Sequence, residues 1–440
     1  MKRDFLNTLD TWYARNKRKP LIVRGMRQTG KTWCVRDFAK RVFGDNFVEI
    51  NFEISKRWGE LFEKDLDPKR ICGEIELIVG KKLLDGEALL FLDEIQLCPK
   101  ALSALRYFYE MLPQIPVIAA GSLLDFALKE GDFPVGRVQF AELYPMSFTE
   151  FLLAAGNEKL AETLSGPVVK FSDAVHAKLL EEVRVFSIVG GLPECVSVWN
   201  ETRSYQSVRE LQQDLITAFE QDFGKYPQHM DSATLRDVWY NANASVGRQI
   251  SYASLSRERT GVTNKKALDL LCRARLLKVS KAVSSAKLPF DLDVTPRIKP
   301  YAGDIGIYQT MSGRPADEVL RPDDLLNIYN GALAEQFVAQ ELLAAFGPSE
   351  PHWWKREGKS AQAEVDFMVA CGGEVLPIEV KSGAAGSLKS MHQLLKDFPN
   401  IKIGVVLSSG QYKILEEKRL AFIPIYWAGT LKSLFQPSEK

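Results

Sequence analysis

The spacing of apolar and polar positions changes several times along the chain. Within residues 4–16, Phe5, Leu9 and Trp12 recur at helical intervals and predict a short amphipathic helix. Four short apolar-rich runs follow, at Leu21–Val23, Phe47–Phe52, Leu89–Leu92 and Val117–Ser122, with helix-period stretches between them. The clearest such stretch carries Leu102, Leu105, Phe108 and Leu112. Strands alternating with helices predict an α/β fold built on a doubly wound parallel sheet over residues 1–150.

Residues 150–230 keep a helical period, with Leu179, Leu180, Val183, Val185 and Phe186 before the segment Gly190-Gly191-Leu192-Pro193, and Leu211, Leu215, Ile216 and Phe219 after it. From about Ser232 the pattern predicts a helix at Tyr252–Arg259, a turn at Gly261, a helix at Lys265–Arg275 capped by Asn264, and a strand from Leu276. That is the arrangement of a winged helix, bounded here as residues 232–312. Residues 284–300, with prolines at 289, 296 and 300, read as an extended wing or loop, and Ser312–Asp324 reads as a linker. A helix over Leu326–Phe346 and strands at His352–Trp354, Ala363–Val369 and Glu374–Lys381 define a last α/β unit, residues 320–440.

The first strand opens into Gly25-Met26-Arg27-Gln28-Thr29-Gly30-Lys31-Thr32, a complete G-x-x-x-x-G-K-T phosphate loop between strand and helix. Polyphosphate must be wrapped by backbone N–H groups, so Gly25 and Gly30 keep side chains out of the cradle while Gln28 and Thr29 lend it main chain. Lys31 is placed to reach the phosphates, and the Thr32 hydroxyl to ligate Mg²⁺. Leu89–Leu92 ends in Asp93-Glu94. Asp93 is the expected Mg²⁺ partner and Glu94 the group that polarises attacking water, from a strand tip next to the loop. ATP and Mg²⁺ are therefore the expected ligands. Ser122, ending the fourth run, is either a sensor of the γ-phosphate or a turn serine.

With 440 residues, 46% hydrophobic and 26% charged, and a net charge of +1, the chain is long enough for several domains and has no global electrostatic preference for nucleic acid. Locally this changes. Residues 246–300 hold twelve Lys/Arg against four Asp/Glu, 12 − 4 = +8. Double-stranded DNA is thus a candidate partner, with a solvated basic face on a structural spacer as the plainer reading. The six cysteines are scattered, with no C-x-x-C pair, and no apolar stretch nears the roughly 20 residues that span a bilayer. A reduced, cytoplasmic setting without membrane contact is expected.

A second constellation lies near the C-terminus. Glu379 and Lys381 alternate onto one face of a strand, Asp366 belongs to the neighbouring strand, and Glu335 sits on the preceding helix. Acids followed by an acid-x-lysine pair suit metal-dependent phosphodiester cleavage. Asp366 and Glu379 would hold a second Mg²⁺, Lys381 would orient water or stabilise the departing charge, and Glu335 would complete the set. Glu364 is a rival ligand, and Gln393 fits an accessory position loosely. The pattern resembles the PD-(D/E)xK nuclease core. A strand with a charged solvent face is the plainer reading.

Taken together, RGMRQTGKT, LLFLDEIQ, AAGSLLDF, GRVQFAELYPMSFTEF and GGLPE resemble a group of prokaryotic AAA+ ATPases, related to STAND ATPases, with a restriction-endonuclease-like C-terminal part. The resemblance implies a helical lid at residues 151–231, a sensor role for Ser122, and a motif match for Gly190–Pro193. It also implies that Arg137, in the Gly136-Arg137 pair, stabilises charge at a γ-phosphate, its own or that of a neighbour in a homo-oligomer. The plainer reading of Arg137 is a salt-bridged surface residue. The expected function is an ATP-hydrolysing protein acting on DNA; the alternative is a nucleotide-dependent switch or scaffold whose nuclease-like part cuts nothing.

Overall fold

The computed structural model describes residues 1–122, 124–127, 136–226, 230–293, 297–315, 328–347, 350–356, 363–381 and 388–436. It divides into two compact units, Lys2–Tyr144 and Pro145–Lys440.

In the first unit, β1 (Leu21–Arg24), β2 (Phe47–Asn51), β3 (Leu89–Asp93), β4 (Val117–Ala120) and β5 (Gln139–Glu142) form a parallel sheet in the order β2-β3-β4-β1-β5. Its helices are α1 (Phe5–Tyr13), α2 (Lys31–Phe43), α3 (Arg57–Glu60), α4 (Pro68–Val79), α5 (Pro99–Met111) and α6 (Leu124–Ala127). Alternate strand residues feed opposite cores. Leu21, Val23 and Phe91 pack with Leu9, Trp12, Val35 and Phe38 of α1 and α2. Ile22, Leu90 and Leu92 pack with Ile71, Ile75, Leu105 and Phe108 of α4 and α5. Burial on both faces is why these runs are apolar without interruption, each large side chain contributing about 1.5–3 kcal/mol. β4 lies between β1 and β3, so Asp93 and Glu94 come from one strand further than expected, and Ser122 follows the strand that adjoins the loop.

The second unit opens with helices only: α7 (Phe148–Ala154), α8 (Glu158–Leu164), α9 (Asp173–Val189), α10 (Pro193–Thr202), α11 (Tyr205–Asp222) and α12 (Ser232–Ala244). Next come β6 (Ile250–Ser251), α13 (Gly261–Arg273), β7 (Leu277–Val283), β8 (Arg297–Ala302), α14 (Ile305–Met311) and α15 (Ile328–Phe346). The remaining elements are β9 (His352–Lys355), β10 (Glu364–Cys371), β11 (Glu374–Lys381), α16 (Lys389–Asp397), β12 (Gly404–Ser408), β13 (Lys413–Leu415), β14 (Leu420–Pro424) and α17 (Leu431–Phe435). The nine strands make one sheet, ordered β13-β14-β12-β11-β10-β9-β7-β8-β6. β7 pairs in parallel with β9, Ala282 opposite Trp353, so the region expected as a winged helix and the C-terminal α/β region share a sheet.

Two local expectations change. The helix expected at residues 252–259 is a 3₁₀ turn, Tyr252–Leu255. α13 starts at Gly261 and is capped by Thr260, whose hydroxyl accepts from Thr263 N. Asn264 is buried in the first turn, its Nδ2 donating to the carbonyls of Tyr252 and Ser256. Of the expected linker, residues 316–324 lie outside the described residues, as does Pro296.

The GGLP segment is a packing joint. A Cβ on Gly190 (φ +76°) would stand 2.3 Å from Asp304 Oδ1, and one on Gly191 2.4 Å from Met146 O. Gly191 N donates to Asp304 Oδ2 at 2.7 Å, while Asp304 Oδ1 accepts from the backbone of Gly306 and Ile307. Pro193 then starts α10, where a missing N–H costs nothing.

Candidate functional site

The phosphate loop leaves β1 at Gly25 because no other residue fits there. A Cβ would meet Leu143 O at 2.3 Å, and the φ is +157°. Gln28 (φ +65°) and Gly30 (φ +88°) adopt left-handed backbone, turning the chain into the N-terminus of α2. A helix start offers unpaired N–H groups and the positive end of its dipole to an anion. Thr29 is fully buried, its hydroxyl donating to Met26 O at 2.8 Å. Lys31 Nζ donates to the carbonyls of Gly25 and Met26 at 3.0 and 2.9 Å.

Asp93 is the hub of the acidic side. Its Oδ2 accepts from Thr32 Oγ1 and from Asn51 Nδ2, each at 3.0 Å. Burial and then the adjacent charge of Glu94 push its carboxyl pKa up. A hydroxyl and a raised-energy carboxylate converging beside an anion cradle fit Mg²⁺ held together with nucleotide phosphates. Glu94 adopts left-handed backbone (φ +51°), and its carboxylate accepts from Gln96 Nε2. Gln96 in turn packs where a Cβ on Gly121 would collide. Ser122 Oγ, 3% exposed by residue, accepts from Arg27 Nε of the loop at 3.2 Å.

Sequence reasoning passed over Asn51, Gln96, Arg27 and Arg3. Arg3, 4% exposed, donates to Thr29 O at 2.8 Å and Tyr144 O at 2.7 Å, tying the loop to the chain after β5. Only a scan for charged residues beside the apolar positions of α1 could have flagged it.

Arg137 is not brought to this site. It precedes β5, whose parallel register with β1 sets Gln139 beside Leu21 and Glu142 beside Arg24. Arg137 is therefore at the N-terminal edge of the sheet and the loop at the C-terminal edge. It is exposed and paired with Glu110 at 2.7 Å, as a salt-bridged surface residue would be.

In the second unit, Glu335 comes from α15, Asp366 from β10, and Glu379 and Lys381 from β11. Asp366 Oδ2 accepts from Val380 N at 2.9 Å, and Lys381 Nζ donates to Glu379 Oε1 at 2.6 Å. Glu335 and Asp366 are thus gathered, Glu364 with them, but around Lys299 of β8, while the Glu379–Lys381 pair joins them through the charge of Asp366 on Glu379. Lys299 Nζ lies 3.0 Å from Glu335 Oε1, 2.5 Å from Glu364 Oε1 and 3.4 Å from Asp366 Oδ1. Burial alone would lower the Lys299 pKa, but the three carboxylates outweigh it and raise it. Burial pushes the Glu335 and Glu379 carboxyls up, with Asp366 adding to both and Lys299 and Lys381 opposing. Among the described residues, no three His, Cys, Asp or Glu side chains are arranged to hold a metal ion. The second Mg²⁺ expected at Asp366 and Glu379 does not fit this lysine-filled cluster. Gln393 is exposed on α16, bonded to Asp397 at 2.7 Å, and takes no part.

Between α13 and the β7–β8 strands lies an open cavity of about 480 Å³, lined by Tyr252, Lys265, Lys278, Lys281 and Arg297 but also by Asp269, Asp293 and Glu350. Two of the twelve basic residues counted there are withdrawn from solvent, Arg275 at 8% exposure and Lys299 at 1%. No helix among the described residues is long and apolar enough to cross a membrane.

Residues 17–152 match the AAA domain family. Residues 180–318 and 330–427 match two domains of unknown function, DUF8612 and DUF4143. No curated protein matches the chain. Solved structures similar to it include a Walker-type ATPase of Pyrococcus abyssi, 14% identical, with a TM-score of 0.46 over 71% of this chain and 95% of that one. They also include the Aeropyrum pernix ORC1 protein in complex with DNA, 13% identical, TM-score 0.30, over 72% and 93%. A third is PCH-2 of C. elegans, 12% identical, TM-score 0.26, over 42% and 56%. The domain match and the loop geometry make the first unit an AAA-type P-loop ATPase domain.

Proposed function

We propose that the protein hydrolyses ATP with Mg²⁺ at the Gly25–Thr32 loop and uses the cycle as a switch on the region from residue 145 onward. The observation that carries this is the Thr32 hydroxyl bonded to Asp93 beside a cradle that only glycine permits at position 25. Backbone N–H groups of the loop and the start of α2 would bind the phosphates, with Lys31 turning from its carbonyls to them. Thr32 and Asp93 would hold Mg²⁺, which when bound neutralises charge on the β- and γ-phosphate oxygens. Glu94, held by Gln96, would orient the attacking water and accept its proton, and Ser122 would report on the γ-phosphate through Arg27. ATP turnover by purified protein, absent without Mg²⁺ and absent in Lys31→Ala, is the expected result. Turnover unchanged by Lys31→Ala would overturn it.

Duplex DNA is the proposed partner of the region 232–312. What supports a winged helix there is the order α12, β6, α13, β7, β8, with β8 paired antiparallel to both β6 and β7. Exposed Lys265 and Lys266 on α13 provide the footprint for phosphates. For the C-terminal nuclease-like fold, the position of Lys299 favours the reading in which it cuts nothing. Adding duplex DNA to the ATPase assay tests the coupling, and an unchanged rate would remove DNA as the effector.

A further inference from the structure

Lys299 reaches the carboxylate cluster from outside the C-terminal region. It sits on β8, opposite Ser280 of β7, within the 180–318 match, whereas its partners Glu335, Glu364 and Asp366 all fall within the 330–427 match. An ammonium has three N–H donors. Here each has a carboxylate oxygen, at 3.0, 2.5 and 3.4 Å, on a lysine that is 1% exposed. The surroundings fix this arrangement. Tyr301, two residues along β8, donates its hydroxyl to Glu335 Oε1 at 2.7 Å. Glu335 rests on Gly247, where a Cβ would come within 2.8 Å of Oε2. Gln249 donates to Glu364, and the ring of Trp353 lies 5.8 Å from the ammonium.

A divalent ion on these acids would need several of the same oxygens at roughly 2.0–2.6 Å. The ammonium already draws on them, and two cations sharing one set of oxygens a few ångströms apart repel strongly in a buried setting. Withdrawing Lys299 instead would strand a buried charge. One acceptor is left over. Glu379 is 5% exposed, Lys381 takes its Oε1, and its Oε2 has no hydrogen-bond partner among the described residues. That oxygen marks where an added cation would find a further ligand.

We propose that Lys299 is the resident cation of this cluster: it replaces the divalent ion of a nuclease site, and removing its charge opens a divalent-cation site on Glu335, Glu364, Asp366 and Glu379. The absence of cleavage rests on the nuclease-like reading of the fold, while the cation exchange stands on the geometry alone.

The test uses nucleotide-free, full-length protein carrying Lys31→Ala, so that the outcome does not depend on the ATPase reading. Free Mn²⁺ is titrated by electron paramagnetic resonance, with thermal melting in parallel. With Lys299 present, Asp366→Asn should leave Mn²⁺ uptake unchanged. Lys299→Met should melt lower, bind one additional equivalent, regain several degrees on adding Mn²⁺, and lose that equivalent in Lys299→Met/Asp366→Asn. Should Lys299→Met not fold even with Mn²⁺, Lys299→Met/Glu335→Gln, with one buried charge fewer, takes its place and should gain the same equivalent. Mn²⁺ uptake by the Lys299 protein that Asp366→Asn abolishes, or no added equivalent in the folded Lys299 variant, would overturn the proposal. So would plasmid cleavage by the Lys299 protein in Mn²⁺ that is lost on Lys381→Ala.

Discussion

Thr32 Oγ1 and Asp93 Oδ2 are 3.0 Å apart, joining the first turn of α2 to the end of β3 across 61 positions of sequence. The contact brings the helix start that would receive phosphate together with the acid that would receive Mg²⁺. Asp93 itself is 3% exposed and pushed toward its protonated form by burial and by Glu94, with the Thr32 hydroxyl opposing.

Asp93→Asn should therefore stabilise the nucleotide-free protein by about 1 kcal/mol while abolishing stabilisation by Mg²⁺ and ATP. The sign with pH follows from the direction of the shift. A carboxyl whose folded pKa is raised contributes stability while protonated and loses that contribution as pH rises through its titration. The melting-temperature gain of Asp93→Asn should accordingly widen as pH increases. A gain that shrinks with pH would contradict the assignment.

Gly25→Ala should lower stability by about 2 kcal/mol or more, because its Cβ meets backbone at Leu143 O rather than a movable side chain. Chemical denaturation measures it. In the folded fraction, ATP affinity should fall with stability, since the same clash reshapes the cradle.

Arg137→Ala should change ATP turnover by less than about twofold in dilute, monomeric protein, its partner being the exposed Glu110. A rate loss that appears only as protein concentration rises would instead assign it to a neighbouring subunit's nucleotide.

Gly191→Ala and Asp304→Asn should each cost about 2–3 kcal/mol without touching the nucleotide loop. The first drives a methyl against Met146 O; the second puts an amide NH₂ among backbone donors from Gly191, Gly306 and Ile307. Melting temperatures should fall while the KM for ATP holds.

Lys265→Ala/Lys266→Ala should weaken duplex binding about equally across sequences and reduce the salt slope of log K by about 1 per lysine, measured by fluorescence anisotropy. Unchanged affinity would leave α13 as a solvated face.

Some of this was legible in one dimension because its physics is local. The phosphate loop needs a fixed spacing of glycine, lysine and threonine within eight residues, and both-face burial leaves uninterrupted apolar runs, so the loop, the parallel sheet and Asp93-Glu94 could be read directly. Alternation likewise placed Glu379 and Lys381 on one face, and the structure adds the bond between them. The order of strands could not be read in the same way, because hydrogen-bonded neighbours leave no mark on one another's composition.

The sequence by itself determined the local chemistry: which backbone turns need glycine, which strands are buried, and which acids stand at strand ends. Only the tertiary structure decided how charge is compensated across long separations. It sent Arg137 to the far edge of its sheet, set Arg3 under the loop, and brought Lys299 from β8 among acids 36 to 67 residues onward. The reason is physical. A cation buried by folding is indistinguishable in sequence from one on the surface, since its partners are chosen by packing in three dimensions and not by spacing along the chain.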